Sequence, residues 1–221
     1  ATGPLSNLRA AAELDPMFFR NLRQIACMGG YLRTDGVRPQ LRIGWRTLPE
    51  LNLSADPEAA WCVLNASSSS TTPPNAPTKV GAPTSVGVPT SVGAATCPVT
   101  LMNAHVCLQA PFGWRDLHRF KAWHRELHAV IRHWLLAFGV YCGVLVFYLW
   151  DLLPAVYISC PELFDVNLVA LSSTAQDLET GTLITHTPGE HKGVNMPTKI
   201  LDSERLKAIL FEAWKQGLHA V

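Results

Sequence analysis

From His133 to Trp150 the chain runs for 18 residues without Asp, Glu, Lys or Arg. Such a run constrains the fold more than any other feature of the sequence. As a helix it would be roughly 27 Å long, close to the ~30 Å hydrocarbon core of a bilayer. Leu152 and Leu153 can extend one end, and Arg132 can snorkel at the other. Trp134 lies near one edge, with Tyr148 and Trp150 near the other, as an aromatic belt requires. The alternative is a helix buried in a protein core. Against it stands the lack of a polar face: Leu135, Phe138, Tyr141, Val144 and Phe147 recur at helical spacing, and Leu136, Val140, Leu145 and Leu149 fill the positions between. The run predicts one membrane crossing, with Arg132, Trp134, Tyr148 and Trp150 as interface anchors.

Composition agrees with that expectation. Charged residues are 16%, below the ~25% of an average soluble domain. The formal net charge of +1 argues against a dedicated nucleic-acid binder. Charge is nevertheless unevenly placed. Residues 1–132 carry 13 Lys/Arg against 8 Asp/Glu, a balance of +5; residues 151–221 carry 5 against 9, a balance of −4. The positive-inside rule then puts the N-terminal part on the matrix side of an organellar membrane. The start at Ala1 shows no signal peptide and is compatible with a cleaved presequence.

Four segments are expected. Residues 1–65 are an Arg-rich inner-side segment, in which Met17 to Met28 reads as a short amphipathic helix stopped by Gly29 and Gly30. Residues 66–110 are a low-complexity Pro/Ser/Gly linker with a hexapeptide repeat at 76–93. Residues 111–153 read as one basic amphipathic helix that continues into the span and stops at Pro154. Residues 154–221 form an outer-side segment closed by an amphipathic helix from Asp202, with Leu206, Ile209, Leu210 and Ala213 on its apolar face. The fold class expected is therefore mainly α: one long helix with a single transmembrane span, an irregular extended N-terminal part and linker, and a C-terminal amphipathic helix.

Chemical motifs are sparse. The six cysteines show no C-x-x-C spacing and read as mostly free buried thiols, with one bridge such as Cys97 to Cys107 as the alternative. His124 and His128 share a helix face but lack the H-E-x-x-H order of a metalloprotease. His186, Glu190 and His191 form a second histidine-bearing stretch, a candidate site for a membrane-tethered enzyme. Asn52 and Asn65 each head an N-x-S acceptor pattern. No G-x-S-x-G, P-loop or G-x-G-x-x-G occurs. No catalytic residue, cofactor or metal ligand is expected. Gly139 and Gly143 make a G-x-x-x-G inside the span, a surface on which a second helix could pack closely.

A tryptophan-bracketed single span, basic flank and terminal amphipathic helix resemble the single-span supernumerary subunits of mitochondrial respiratory complexes. That resemblance implies a non-catalytic accessory subunit, most of all of complex I, acting in assembly and stability at the inner membrane. Its partners would be neighbouring subunits and lipid, with no nucleic acid and no small-molecule substrate of its own. The alternatives are a subunit of ATP synthase, cytochrome oxidase or a thylakoid photosystem.

Overall fold

A computed structural model of the chain describes residues 1–33, 40–66, 97–120, 124–186 and 193–217; the repeat at 76–93, Glu190 and His191 lie outside the described residues. Its centre is a sheet. Helices α1 (Ser6–Leu14) and α2 (Phe18–Asn21) lead into β1 (Ile25–Met28), and β2 (Tyr31–Leu32) follows directly. The hairpin of β3 (Leu41–Ile43) and β4 (Arg46–Leu48) precedes α3 (Pro57–Asn65), then β5 (Val99–Met102) and α4 (Ala104–Cys107). Next come β6 (Pro111–Gly113), α5 (Trp114–Phe120), α6 (Arg125–Cys142), β7 (Val146–Tyr148) and α7 (Leu152–Ser159). After a 3-10 turn at Pro161–Leu163 come β8 (Leu168–Leu171), α8 (Ala175–Leu178), β9 (Thr182–Leu183), β10 (Thr185–His186), β11 (Val194–Asn195) and α9 (Ser203–Gly217). The main sheet has the order β1-β5-β11-β8-β10. β5 runs parallel to β1 and β11, while β8 is antiparallel to β11 and β10.

β1 and β5 are buried at all four positions, because helices cover both faces of the sheet. The strand period of two sorts their side chains. Ile25, Cys27, Val99 and Leu101 pack with Ala59, Ala60 and Val63 of α3 on one side. Met28 and Met102 turn to the other, toward Leu135 of α6, Leu153 and Val156 of α7, and Leu206, Leu210 and Phe211 of α9. This is a three-layer α/β arrangement. Burial pushes the Cys27 thiol up to about 12, and all six cysteines are free. Residues 25–30 thus correct the expected Met17–Met28 helix: a four-residue apolar run bounded by two glycines is a buried strand.

The fold also corrects the mainly α, single-span expectation. The apolar run divides into three pieces. α6 ends at Cys142, Gly143 takes the left-handed conformation at φ 75°, and β7 pairs antiparallel with β6. The β3–β4 hairpin captures the free carbonyls of the helix end. Trp45 donates its backbone N–H to Cys142 O (3.1 Å) and its indole N–H to Tyr141 O (2.9 Å), and Arg46 Nε adds a bond to Tyr141 O (3.2 Å). A cation there also suits the helix dipole. Gly44 and Gly143 make this docking feasible: a Cβ on Gly44 would collide with Cys142 O, and one on Gly143 with the Trp45 ring. Pro154, expected to stop the helix, lies instead in the first turn of α7, where its missing N–H costs nothing.

Among the described residues no helix is long and apolar enough to cross a membrane. The single-pass inner-membrane placement, its matrix-side N-terminus and the thylakoid alternative lose the helix on which they rested. The run is apolar all round because it serves two periods and two environments. Leu135 and Cys142 enter the core on the helical face, whereas Val140 stays 83% exposed.

Gly143→Ala should lower stability by about 1–3 kcal/mol in urea denaturation, since both the positive φ and the Trp45 contact forbid a side chain. Gly3→Ala, with nothing within 4 Å, should leave the midpoint unchanged.

Candidate functional site

The parallel strands β1 and β5 end at Met28 and Met102, and a cavity of about 630 Å³ opens beside these ends. Ligands of open α/β sheets characteristically bind there, outside the carboxyl ends of the strands. One wall is aromatic: Trp134 and Phe138 of α6, Phe147 of β7, and Trp150. Tyr148 braces it, its ring set edge-on to Trp150 at 5.4 Å. The polar groups come from elsewhere: Thr2, Tyr31, Glu50, Asn52 and Asp151. Among the described residues the lining includes no Lys, Arg or His side chain.

Each polar group is held by its surroundings. Glu50 begins the turn that leads from β4 to α3. Its Oε1 accepts from the backbone N–H groups of Gly30 (3.2 Å), Asn52 (3.0 Å) and Leu53 (3.1 Å), and its Oε2 from that of Ser54 (2.7 Å). The turn hands over to α3, whose first-turn N–H at Ala59 is capped by Asp56, with Pro57 in the first turn. Asn52 donates Nδ2 to Met28 O (3.0 Å) and to the Met28 thioether (3.2 Å). Both donor hydrogens are thereby used, and Oδ1 is left as its open polar atom. Tyr31 donates its hydroxyl to Leu48 O (2.8 Å), and burial, with Glu50 nearby, holds its phenol well above the usual range. Asp151 directly precedes α7 but caps none of its N–H groups. Although Asp151 is exposed, partial desolvation raises its carboxyl above the ordinary aspartate value, partly offset by the amino group of Ala1. No group of three or more His, Cys, Asp or Glu among the described residues could hold a metal.

The residues singled out in the sequence are dispersed. Trp134 and Trp150 line the cavity, Tyr148 supports it, and Arg132 is exposed on α6. Gly139 and Gly143 lie in one chain segment around the end of α6. A Cβ on Gly139 would press on Leu145, which folds back against the helix, and Gly143 is the left-handed residue that ends it. His124 caps α6, accepting from Leu127 N–H through Nδ1 (3.1 Å). His128 follows it one turn on. His186 meets Ser172 across β8 and β10, with Nε2 2.7 Å from Oγ. Thr2, Tyr31, Glu50, Asn52 and Asp151 went unread. Asp151 served only as the end of the apolar run. Glu50-x-Asn52, between Pro49 and the Asp56-Pro57 cap, carries a weak signal: two polar side chains in a break between elements.

The fold is that of the nucleoside hydrolases. A purine-preferring ribonucleoside hydrolase from Gardnerella vaginalis superposes with a TM-score of 0.68 at 18% identity, over 98% of this chain and 59% of that one. A plant nucleoside hydrolase gives 0.67 at 20% identity, over 95% and 59%. An inosine-uridine preferring nucleoside hydrolase from Bacillus anthracis gives 0.59 at 19%, over 97% and 58%. The family model described as inosine-uridine preferring nucleoside hydrolase matches residues 1–208, and the chain belongs to that family. Among curated proteins it is similar to the probable uridine nucleosidase 2 of Arabidopsis thaliana, 43% identical over 69 residues, which make up 31% of this chain and 19% of that protein. The chain spans about three fifths of the length of the solved relatives.

Family membership corrects the expected role. The chain is not a respiratory-complex accessory subunit, of complex I or of the other energy-converting complexes considered. Nor do the expectations of a non-enzyme and of no small-molecule substrate stand, since the family is one of hydrolases named for nucleosides.

Asp151 gives the site a pH signature. Its folded-state value lies above the unfolded one, so folding favours the neutral carboxyl. That contribution is fully present below the unfolded value and is lost as pH rises through the folded value. Asp151→Asn should therefore raise Tm at about pH 7 and leave it unchanged at about pH 3, as thermal melts at both values would read.

Proposed function

We propose that this chain binds a nucleoside in the 630 Å³ cavity and takes part in hydrolysis of its N-glycosidic bond. The observation that carries the reading is the division of that cavity into an aromatic wall and a polar side on which Asn52 Oδ1 and the Asp151 carboxylate are open acceptors. Planar bases stack against Trp134, Phe138, Phe147 and Trp150. Ribose hydroxyls are donors, and they find acceptors in Asn52 Oδ1 and the Asp151 carboxylate. Two carboxylates in the lining, without a cationic side chain among the described residues, favour a neutral nucleoside over a phosphorylated one. The volume falls within the range typical of small-molecule sites.

In the reaction a water oxygen bonds to C1′ of the sugar while the bond from C1′ to the base nitrogen breaks. The bonding pair leaves with the base, which takes up a proton. The attacking water must lose one. Asp151 is placed to receive it: its carboxylate is exposed and has no hydrogen-bond partner among the described residues, and partial desolvation raises its proton affinity, which suits a general base. The polar side holds the sugar and the aromatic wall excludes bulk water from the base, so positioning supplies much of the rate.

The test is direct. The full chain incubated with uridine or inosine should release free ribose above the uncatalysed rate, measured as reducing sugar. Asp151→Asn should lower kcat by about 100-fold or more. Ribose release no faster than in protein-free buffer would remove the hydrolytic reading.

A further inference from the structure

A surface helix ordinarily turns its charges to water. α9 does so: Glu204, Arg205, Glu212 and Lys215 are exposed opposite its buried Leu206, Leu210 and Phe211. α6 does not. Its inner face buries Ile131, Leu135 and Cys142, and beyond Arg132 the helix carries no Asp, Glu, Lys or Arg. Leu136 and Val140, one turn apart, are exposed, and Ala137 joins them to Val130 and Tyr141 on the same outward side. Leu145, folded back against the helix, and Trp45 of the hairpin, 62% exposed, carry the patch past Cys142. Trp45 is held in place by the bond from its indole N–H to Tyr141 O. Contiguous apolar patches of this kind on a protein surface mark interaction sites.

Arginines border the patch. Arg125 and Arg132, seven residues apart, share the flank beside Leu136. Arg42 and Arg46 lie in the hairpin with Trp45, and the Arg46 guanidinium stands 4.7 Å over the Tyr141 ring. All four are exposed, and none is paired with a carboxylate among the described residues. Glu126 is the sole acid on α6, and the hairpin has none.

We propose that this face is an interaction surface for an acidic amphipathic helix of a partner protein, whose apolar stripe lies along α6 while flanking Asp or Glu side chains meet the arginines. The form of the partner follows from what the face offers. α6 spends its backbone groups on its own turns, and the hairpin takes carbonyls at its end, so an extended strand would find nothing along it to pair with. Side chains alone are on offer, and a second helix packs its ridges between them. At roughly 27 Å, α6 accommodates a partner of four or five turns. The charge of the partner follows from the rim, since guanidinium groups grip carboxylates bidentately. A second copy of this chain fits less well: two-fold pairing brings arginine rims together, with only Glu126 of each copy to oppose them. The surface is independent of the nucleoside reading, because Val140, Arg125 and Arg132 do not line the cavity.

The test uses the full chain and two synthetic helical peptides of about 16 residues. Both carry leucine at i, i+3, i+4 and i+7; one has glutamate on the flanks of that stripe and its twin has lysine. Calorimetric titration should show micromolar binding of the glutamate peptide, with the lysine peptide weaker by about tenfold or more. Val140→Asp should weaken the glutamate peptide about tenfold at unchanged Tm, since that side chain already lies in water. Val130→Asp serves in its place should that variant not fold. The double substitution Arg125→Glu with Arg132→Glu should reverse the order of the two peptides. No binding of the glutamate peptide, equal affinity for both peptides, or indifference to Val140→Asp and Val130→Asp would each overturn the proposal. So would either rival occupant: self-association in sedimentation velocity that Val140→Asp abolishes, or binding to phosphatidylserine vesicles in place of the glutamate peptide.

Discussion

The shape of this chain depends on how the carbonyl groups at the end of α6 are satisfied. A helix leaves its last carbonyls without intrahelical partners, and here the hairpin from β3 to β4 supplies them through Trp45 and Arg46. The cost of continuing as helix would be the loss of those bonds and of the Arg46 guanidinium, 4.7 Å over the Tyr141 ring. With α6 stopped at Gly143, residues 146–148 are free to pair with β6, and Trp150 and Asp151 arrive beside the strand ends. The aromatic wall therefore exists because a hydrophobic run is broken at Gly143.

The cavity combines two kinds of support. Its aromatic side is built from regular elements, and packing against the core under α6 and β7 holds it. Its polar side is built on turns, which bonds between side chain and backbone hold. Turns without such bonds are the first segments to open. Glu50 takes the place that a strand or helix would otherwise fill, since backbone groups near a buried ligand site must find partners within the protein.

Much of the periodic structure was legible. Leu206 and Leu210, four apart, mark the stripe by which α9 packs, and Asp202 accepts from the Arg205 N–H at its start. The sheet was not legible, for a physical reason. Strands covered on both faces show no alternation, so Ile25–Met28 and Val99–Met102 look like any short apolar run. The run at 133–150 misled because aromatic residues bracketing apolar ones suit a bilayer boundary and a ligand wall equally well. Trp134, 54% exposed yet facing the cavity, satisfies both descriptions from sequence. The polar site residues were harder still. Glu50 and Asn52 derive their meaning from Met28 and Gly30, more than 20 positions away in the case of Asn52, and pairing at that separation leaves no periodic trace.

That separation sets the order in which the molecule can become competent. The cavity draws on residues from Thr2 to Asp151, so no early fragment of the growing polypeptide can assemble it. β1 must wait for β5, more than 70 positions later, before it has a neighbouring strand, and α7 must arrive before that pair is roofed. Closing such long loops comes at an entropic cost before any contact rewards it. Until then the greasy segment Ile25–Met28 is an adhesive edge on a growing chain.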